Sequence, residues 1–159
     1  MDANPAEHVD HVGNAVDLSR FDDGTFSEIY SSHVVEHFDY HNELIKTLKE
    51  WRRVLVPGGL MYVSVPDLDV LSGLMIDKSK MTPDERFQVM RMIFGGHVDQ
   101  YDYHLVGLNE EFLSGFLQAS GFVNIMKVQN FCQFKFHDTS NAVYKGNVIS
   151  LNMIAYKPK

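Results

Sequence analysis

Covalent and electrostatic scaffolding is scarce in this 159-residue sequence. It has one cysteine, Cys132, so no internal disulfide can form and a reducing, cytoplasmic setting is expected. Basic residues are outnumbered: 14 Lys and Arg against 21 Asp and Glu leave a net charge of −7, and the cations are scattered. Sequence-independent binding to nucleic acid needs a cluster of phosphate-neutralising cations, so no nucleic-acid partner is expected. The apolar stretch from Val54 to Val65 is broken by Pro57-Gly58-Gly59 and is too short to cross a bilayer. The first five residues have neither the cationic nor the apolar region of a secretory leader. Repeats, low-complexity tracts and linkers are also lacking. What remains is an apolar, mixed chain, 45% hydrophobic and 22% charged. That is the balance of a single domain over residues 1–159, burying roughly two thirds of its unfolded surface.

The apolar pattern changes period along the chain. Val9 to Val16 reads as a short strand, and Phe26 to Ser32 as a second, with a polar turn through Asp22-Asp23-Gly24 between them. From Asn42 to Leu55, the residues Leu44, Ile45, Leu48, Trp51 and Leu55 recur at helical steps. Val56-Pro57-Gly58-Gly59 stops that helix, and Leu60 to Val65 follows as a buried strand closed by Pro66-Asp67. Thr82-Pro83-Asp84-Glu85 combines an N-cap, a proline in the first turn and a capping-box glutamate; the helix it opens places Phe87, Met90 and Phe94 on one side. Asn109 caps another, with Phe112, Leu113, Phe116 and Leu117 inward and Gly121 at its end. Phe122 to Val128 and Val148 to Tyr156 read as closing strands. Strands alternating with helices imply an α/β sheet with helices on its faces.

Three motifs stand in a definite order. Val16-Asp17-Leu18-Ser19-Arg20-Phe21-Asp22-Asp23-Gly24-Thr25-Phe26 runs into Ser31-Ser32-His33-Val34-Val35-Glu36-His37, and Arg53-Val54-Leu55-Val56-Pro57-Gly58-Gly59 follows. A fourth piece, His104 to Glu111 and then Leu117 to Phe122, leads into the last strands. This succession resembles the class I S-adenosylmethionine-dependent methyltransferases of the type 11 kind, over nearly the whole chain from Asp2 onward. The resemblance implies a Rossmann-like sheet, S-adenosylmethionine as cofactor, and methyl transfer to a small-molecule or saccharide acceptor. It also implies roles for particular residues. Asp2 would accept from the ribose hydroxyls, and Asp17, with Leu18 beside it, would accept from the adenine amino group. Ser31, Ser32 and His33 would lie near the reacting methyl, with His33 and His104 as candidate catalytic groups. Positioning supplies most of such catalysis, and a general base is optional.

The family's Gly-rich loop and first strand have no counterpart ahead of Asp2, and no G-x-G follows a strand elsewhere. The expectation is therefore a methyltransferase sheet truncated at its N-terminus, lacking its first strand and helix. A catalytically silent binding or oligomerisation module is the alternative. An exposed strand edge is a template for another chain, so a homodimer is expected.

Other features carry weaker readings. His33, His37 and His41 recur at four-residue spacing, but His33 ends a strand, the three rings need not share a face, and no metal site is expected. The polar, aromatic segment Gly95 to His104 is a candidate substrate lip. Cys132, in the aromatic run Phe131 to Phe136, lacks cationic activation in sequence. Ser31 and Ser32 lack a nucleophile elbow, which disfavours a serine hydrolase.

Overall fold

The computed structural model describes residues 1–2, 5–7, 9–131 and 139–159; Cys132 and the rest of its aromatic run to Phe136 lie outside them. The core of the fold is a four-stranded sheet. Strand β1 (Phe26–Ser32) leads through a 3₁₀ turn (Val35–His37) to helix α1 (Glu43–Val54), which returns the chain to β2 (Leu55–Pro66). Helices α2 (Leu68–Ile76), α3 (Pro83–Phe94) and α4 (Glu110–Ala119) follow, then β3 (Val123–Val128), the short pair β4 (Val143–Tyr144) and β5 (Asn147–Val148), and β6 (Ser150–Tyr156). The spatial order is β1-β2-β6-β3. β1 runs parallel to β2, with Ser31 beside Val63, whereas β6 is antiparallel to both β2 and β3.

Helix α1 forms where the spacing requires it: Leu44, Leu48 and Trp51 are buried against Met61, Val63 and Val65 of β2 and Leu151, Met153 and Ala155 of β6. Leu113 and Leu117 of α4 enter the same core. Residues alternate across a strand, so Tyr62 faces away from Met61 and Val63. Its ring meets Phe131 edge-on at 5.6 Å, as does that of Tyr30. α3 has the capping box read from Thr82 and Glu85, with both reciprocal hydrogen bonds present. No helix among the described residues is long and apolar enough to cross a membrane.

Four expectations are corrected. Val9 to Val16 is not a strand: it makes only a parallel bridge from Val12 to Asp2, while Asn14 and Asp17 turn their side chains onto the N–H groups of Val16 and Ser19. Those local bonds compete with a ladder that has a single rung. Helix α2 was not anticipated, because its residues are apolar almost all round and show no stripe; its signal was Asp67, whose carboxylate caps Asp69 and Val70. Phe87, Phe94 and Phe112 point outward, at 57%, 53% and 49% exposure. α3 instead buries Val89 against Leu71 and Met81 in a second small cluster. Finally, β2 begins at Leu55 rather than Leu60. The strand carries an irregularity opposite Phe26–Glu28, with Gly59 so close to the Ser27 carbonyl that a Cβ would lie 3.0 Å from it.

Candidate functional site

Ligands of open α/β sheets sit beyond the carboxyl ends of the parallel strands. Beyond the end of β1 there is a cavity of about 480 Å³, within the range of small-molecule and cofactor sites. One wall is the N-terminal segment, with Asp2, Gly13, Asn14, Ala15 and Val16; another is the turn after β1, with His33, Val34, His37 and Phe38; Gln100, Tyr101 and Tyr103 close a third side.

Each wall is tied to the scaffold. The indole N–H of Trp51, on α1, donates to the Ala15 carbonyl at 2.7 Å. Arg53, two residues nearer the end of α1, donates to the Leu18 carbonyl at 3.1 Å and pairs with Asp23 and Glu50. The turn after β1 starts at His33, whose N–H bonds the Ser64 carbonyl and whose φ of 52° is left-handed. A non-glycine residue there is uncommon and marks local strain. The loop that supplies the tyrosines departs from Gly95 (φ 88°), where a Cβ would collide with the Asp102 carbonyl. His97 stacks on Tyr103, centroids 4.1 Å apart, and the Val98 N–H bonds the Asp102 carboxylate. The latter bond is the main cause holding Asp102 below the ordinary carboxyl range. The segment read as a substrate lip therefore does border the cavity.

The residues singled out from sequence separate into groups. Asp2 and His33 line the cavity. Asp17 is exposed and turned onto Ser19, whose side-chain hydrogen bond is the main cause lowering its pKa; it is not among the lining residues. Leu18 is a core residue. Ser31 is buried with its hydroxyl unbonded, and Ser32 Oγ lies 3.4 Å from Thr139 Oγ1. His104 stands behind His37, ring centroids 4.8 Å apart, rather than on the cavity wall. Burial is the largest influence on His104 and lowers its pKa, with Glu36 acting in the opposite direction. Asn14, Ala15 and Val16 were missed. Their only sequence signal was Gly13-Asn14, a turn pair after an apolar run.

Behind His33 and His37 lies Glu36. It is 1% exposed, and among the described residues neither carboxylate oxygen accepts a hydrogen bond; His33 Nδ1 is 3.3 Å from Oε1 without hydrogen-bond geometry. His41, by contrast, sits in an exposed turn with its N–H on the Asp39 carboxylate.

Residues 2–63 match the family model described as a methyltransferase domain. Over residues 2–63 the chain is similar to a methyltransferase domain, and its fold is the Rossmann-like fold of class I methyltransferases. No curated protein matches the chain by sequence. Among solved structures, the chain is similar to an S-adenosylmethionine-dependent methyltransferase from Archaeoglobus fulgidus (17% identity, 92% of this chain and 66% of that one, TM-score 0.55). It also resembles a possible histamine N-methyltransferase from Thermotoga maritima (15%, 92% and 63%, 0.54) and a possible exported protein from Bordetella parapertussis (15%, 92% and 43%, 0.59). At these identities the likeness concerns the fold, and the chain spans 43–66% of the length of those three.

The donor set of the cavity suits one half of S-adenosylmethionine. A carboxylate (Asp2), a carboxamide (Asn14) and apolar walls (Ala15, Val16, Phe38) can receive ribose hydroxyls, an adenine amino group and its ring faces. Among the described lining residues there is no lysine or arginine for the amino-acid carboxylate.

Proposed function

We propose that this chain binds S-adenosylmethionine in the cavity beyond β1 and serves methyl transfer to a small-molecule or saccharide acceptor. The observation that carries the reading is the convergence of Asp2, Asn14 and the turn after β1 on one cavity of about 480 Å³ at the carboxyl end of a parallel strand. When bound, the cofactor supplies an electrophilic methyl group on a sulfonium. The chain's own residues bind and orient. Asp2 accepts from the ribose hydroxyls, and Asn14 takes the adenine-amino role that the sequence reading gave to Asp17. His33 and His37 border the reacting end, with Tyr101 and Tyr103 facing the acceptor. Ser31, Ser32 and Leu18 support the wall from behind, and His104 holds His37 in place. Orientation, rather than a dedicated base, accounts for most of the rate in such a site.

Calorimetric titration with S-adenosylhomocysteine tests this. Saturable heat that weakens in Asp2→Ala is expected; no heat and no thermal shift at millimolar ligand would favour the alternative, a methyltransferase-like module without catalysis. The outer edge of β1 has no partner strand among the described residues. Unpaired backbone on such an edge templates another strand, and a second copy of this chain is the partner we infer for it.

A further inference from the structure

We propose that Glu36, His37 and His104 bind a divalent cation of the zinc class, with His33 as a fourth ligand on the side that opens to the cavity. Each of the first three offers a ligand atom within 4.8 Å of the others. They come from places far apart in sequence, the 3₁₀ turn after β1 and the end of the 95–104 loop, and are held together by backbone. The N–H groups of Leu105 and Val106 both donate to the Glu36 carbonyl, at 2.8 and 3.2 Å.

Three observations point to a ligand rather than to chance proximity. The Glu36 carboxylate is buried with neither oxygen accepting a hydrogen bond among the described residues, and buried carboxylates persist when they are paired or coordinate a metal. Around it stand three imidazoles, where a simple ion pair would need one. Moreover, one of those rings is already oriented through a backbone carbonyl: His37 Nδ1 lies 3.0 Å from the Tyr103 oxygen. A carbonyl on one ring nitrogen leaves the other as a lone pair directed elsewhere, the arrangement that surrounds metal-bound histidines. The remaining nitrogen of His33, Nε2, is buried and unbonded.

One carboxylate with two or three imidazoles suits zinc and its neighbours, whereas magnesium and calcium take mainly oxygen. Tetrahedral ligands around zinc stand roughly 3.4 Å apart, so closing the site takes side-chain movements on the order of 1 Å.

The test uses the full chain after chelator treatment, without nucleotide, so its outcome is separate from that of cofactor binding. Co²⁺ is titrated while visible d–d absorption is recorded, and Zn²⁺ is followed by thermal shift. One equivalent should bind, with affinity lowered roughly tenfold or more in His104→Ala and in Glu36→Gln, and unchanged in His41→Ala. Absence of stoichiometric binding by the unaltered chain overturns the proposal. So does binding that survives both substitutions, or that is lost only in His41→Ala. Circular dichroism checks each variant, and the nearly isosteric Glu36→Gln decides the matter if His104→Ala does not fold.

Discussion

Trp51 joins the hydrophobic core to the cavity wall, and Trp51→Phe separates those two duties. The substitution keeps an aromatic ring against Phe38, which meets the indole edge-on at 5.9 Å, but removes the N–H that holds the Ala15 carbonyl at 2.7 Å. A hydrogen bond of this kind contributes about 1 kcal/mol net. Ala15 is half-buried, so water can take over part of the lost bond. The smaller ring also leaves space in a site that is 4% exposed; truncating a large aromatic to alanine costs about 3–5 kcal/mol, and a third to a half of that is a fair share for tryptophan to phenylalanine. The total is about 2–3 kcal/mol, which for a domain of this size lowers Tm by roughly 4–12 °C. Because Trp51 is the sole tryptophan, unfolding is followed by circular dichroism in urea. A second measurement addresses the wall: S-adenosylhomocysteine should bind the folded variant more weakly, since Ala15 and its neighbours Asn14 and Val16 are no longer anchored. A loss of stability below about 0.5 kcal/mol, or full ligand affinity in the folded variant, would refute the claim that the indole fixes this wall.

Asn14→Ala should weaken S-adenosylhomocysteine binding while Asp17→Ala leaves it nearly unchanged, by calorimetry; the reverse order would return the adenine contact to the residue indicated by sequence. The Lys145 ammonium, together with the Thr82 backbone, holds the Glu85 carboxyl down to about 2. A depressed carboxyl contributes stability above its unfolded value near 4.5 and loses it as pH falls toward 2. Lys145→Ala should therefore flatten the acid limb of the stability curve over that window, measured by urea unfolding at successive pH values, whereas an identical acid limb would show the pair to be idle. Light scattering after size exclusion should find a dimer that a proline at Glu28, within β1, dissociates; a clean monomer removes the role inferred for the strand edge.

What could be read from sequence was whatever depends on neighbours along the chain. The capping box of Thr82 and Glu85, the Asn109 cap on Phe112 and the i, i+4 stripe of α1 are local chemistry, and each appears where its residues stand. The motif order was legible for the same reason. What was hidden depends on partners distant in sequence. Phe87 and Phe94 satisfy helical spacing as well as Val89 does, and only the position of Leu71 and Met81 decides which face turns inward. Asp17 and Asn14 are three residues apart in a segment with no ladder to set its register, so the choice of wall residue rests on Trp51 and Arg53, 36 and 35 residues further along the chain than the carbonyls they hold. The histidine spacing, from which no metal site was expected, shows a different limit. It drew attention to His41, while the actual companions of His37 are Glu36, its neighbour, and His104, fixed by hydrogen bonds to the Glu36 carbonyl from the loop that follows.

His33 is the point at which the two sites meet. Its main chain ends β1 by bonding Ser64, its ring lines the cavity, and its Nδ1 faces the buried Glu36 carboxylate. Left-handed backbone at a non-glycine residue costs on the order of 1 kcal/mol or more, and glycine would adopt it freely. At His33 the side chain faces the cavity on one side and the Glu36 carboxylate on the other. After it, the 3₁₀ turn Val35–His37 buries Val35 and Glu36. His33 lines the cavity, and His37 lies against the His104 ring. If the proposed cation binds that cluster, it would fix the wall of the cavity that His33 and His37 form, and so link its occupancy to the shape of the cavity.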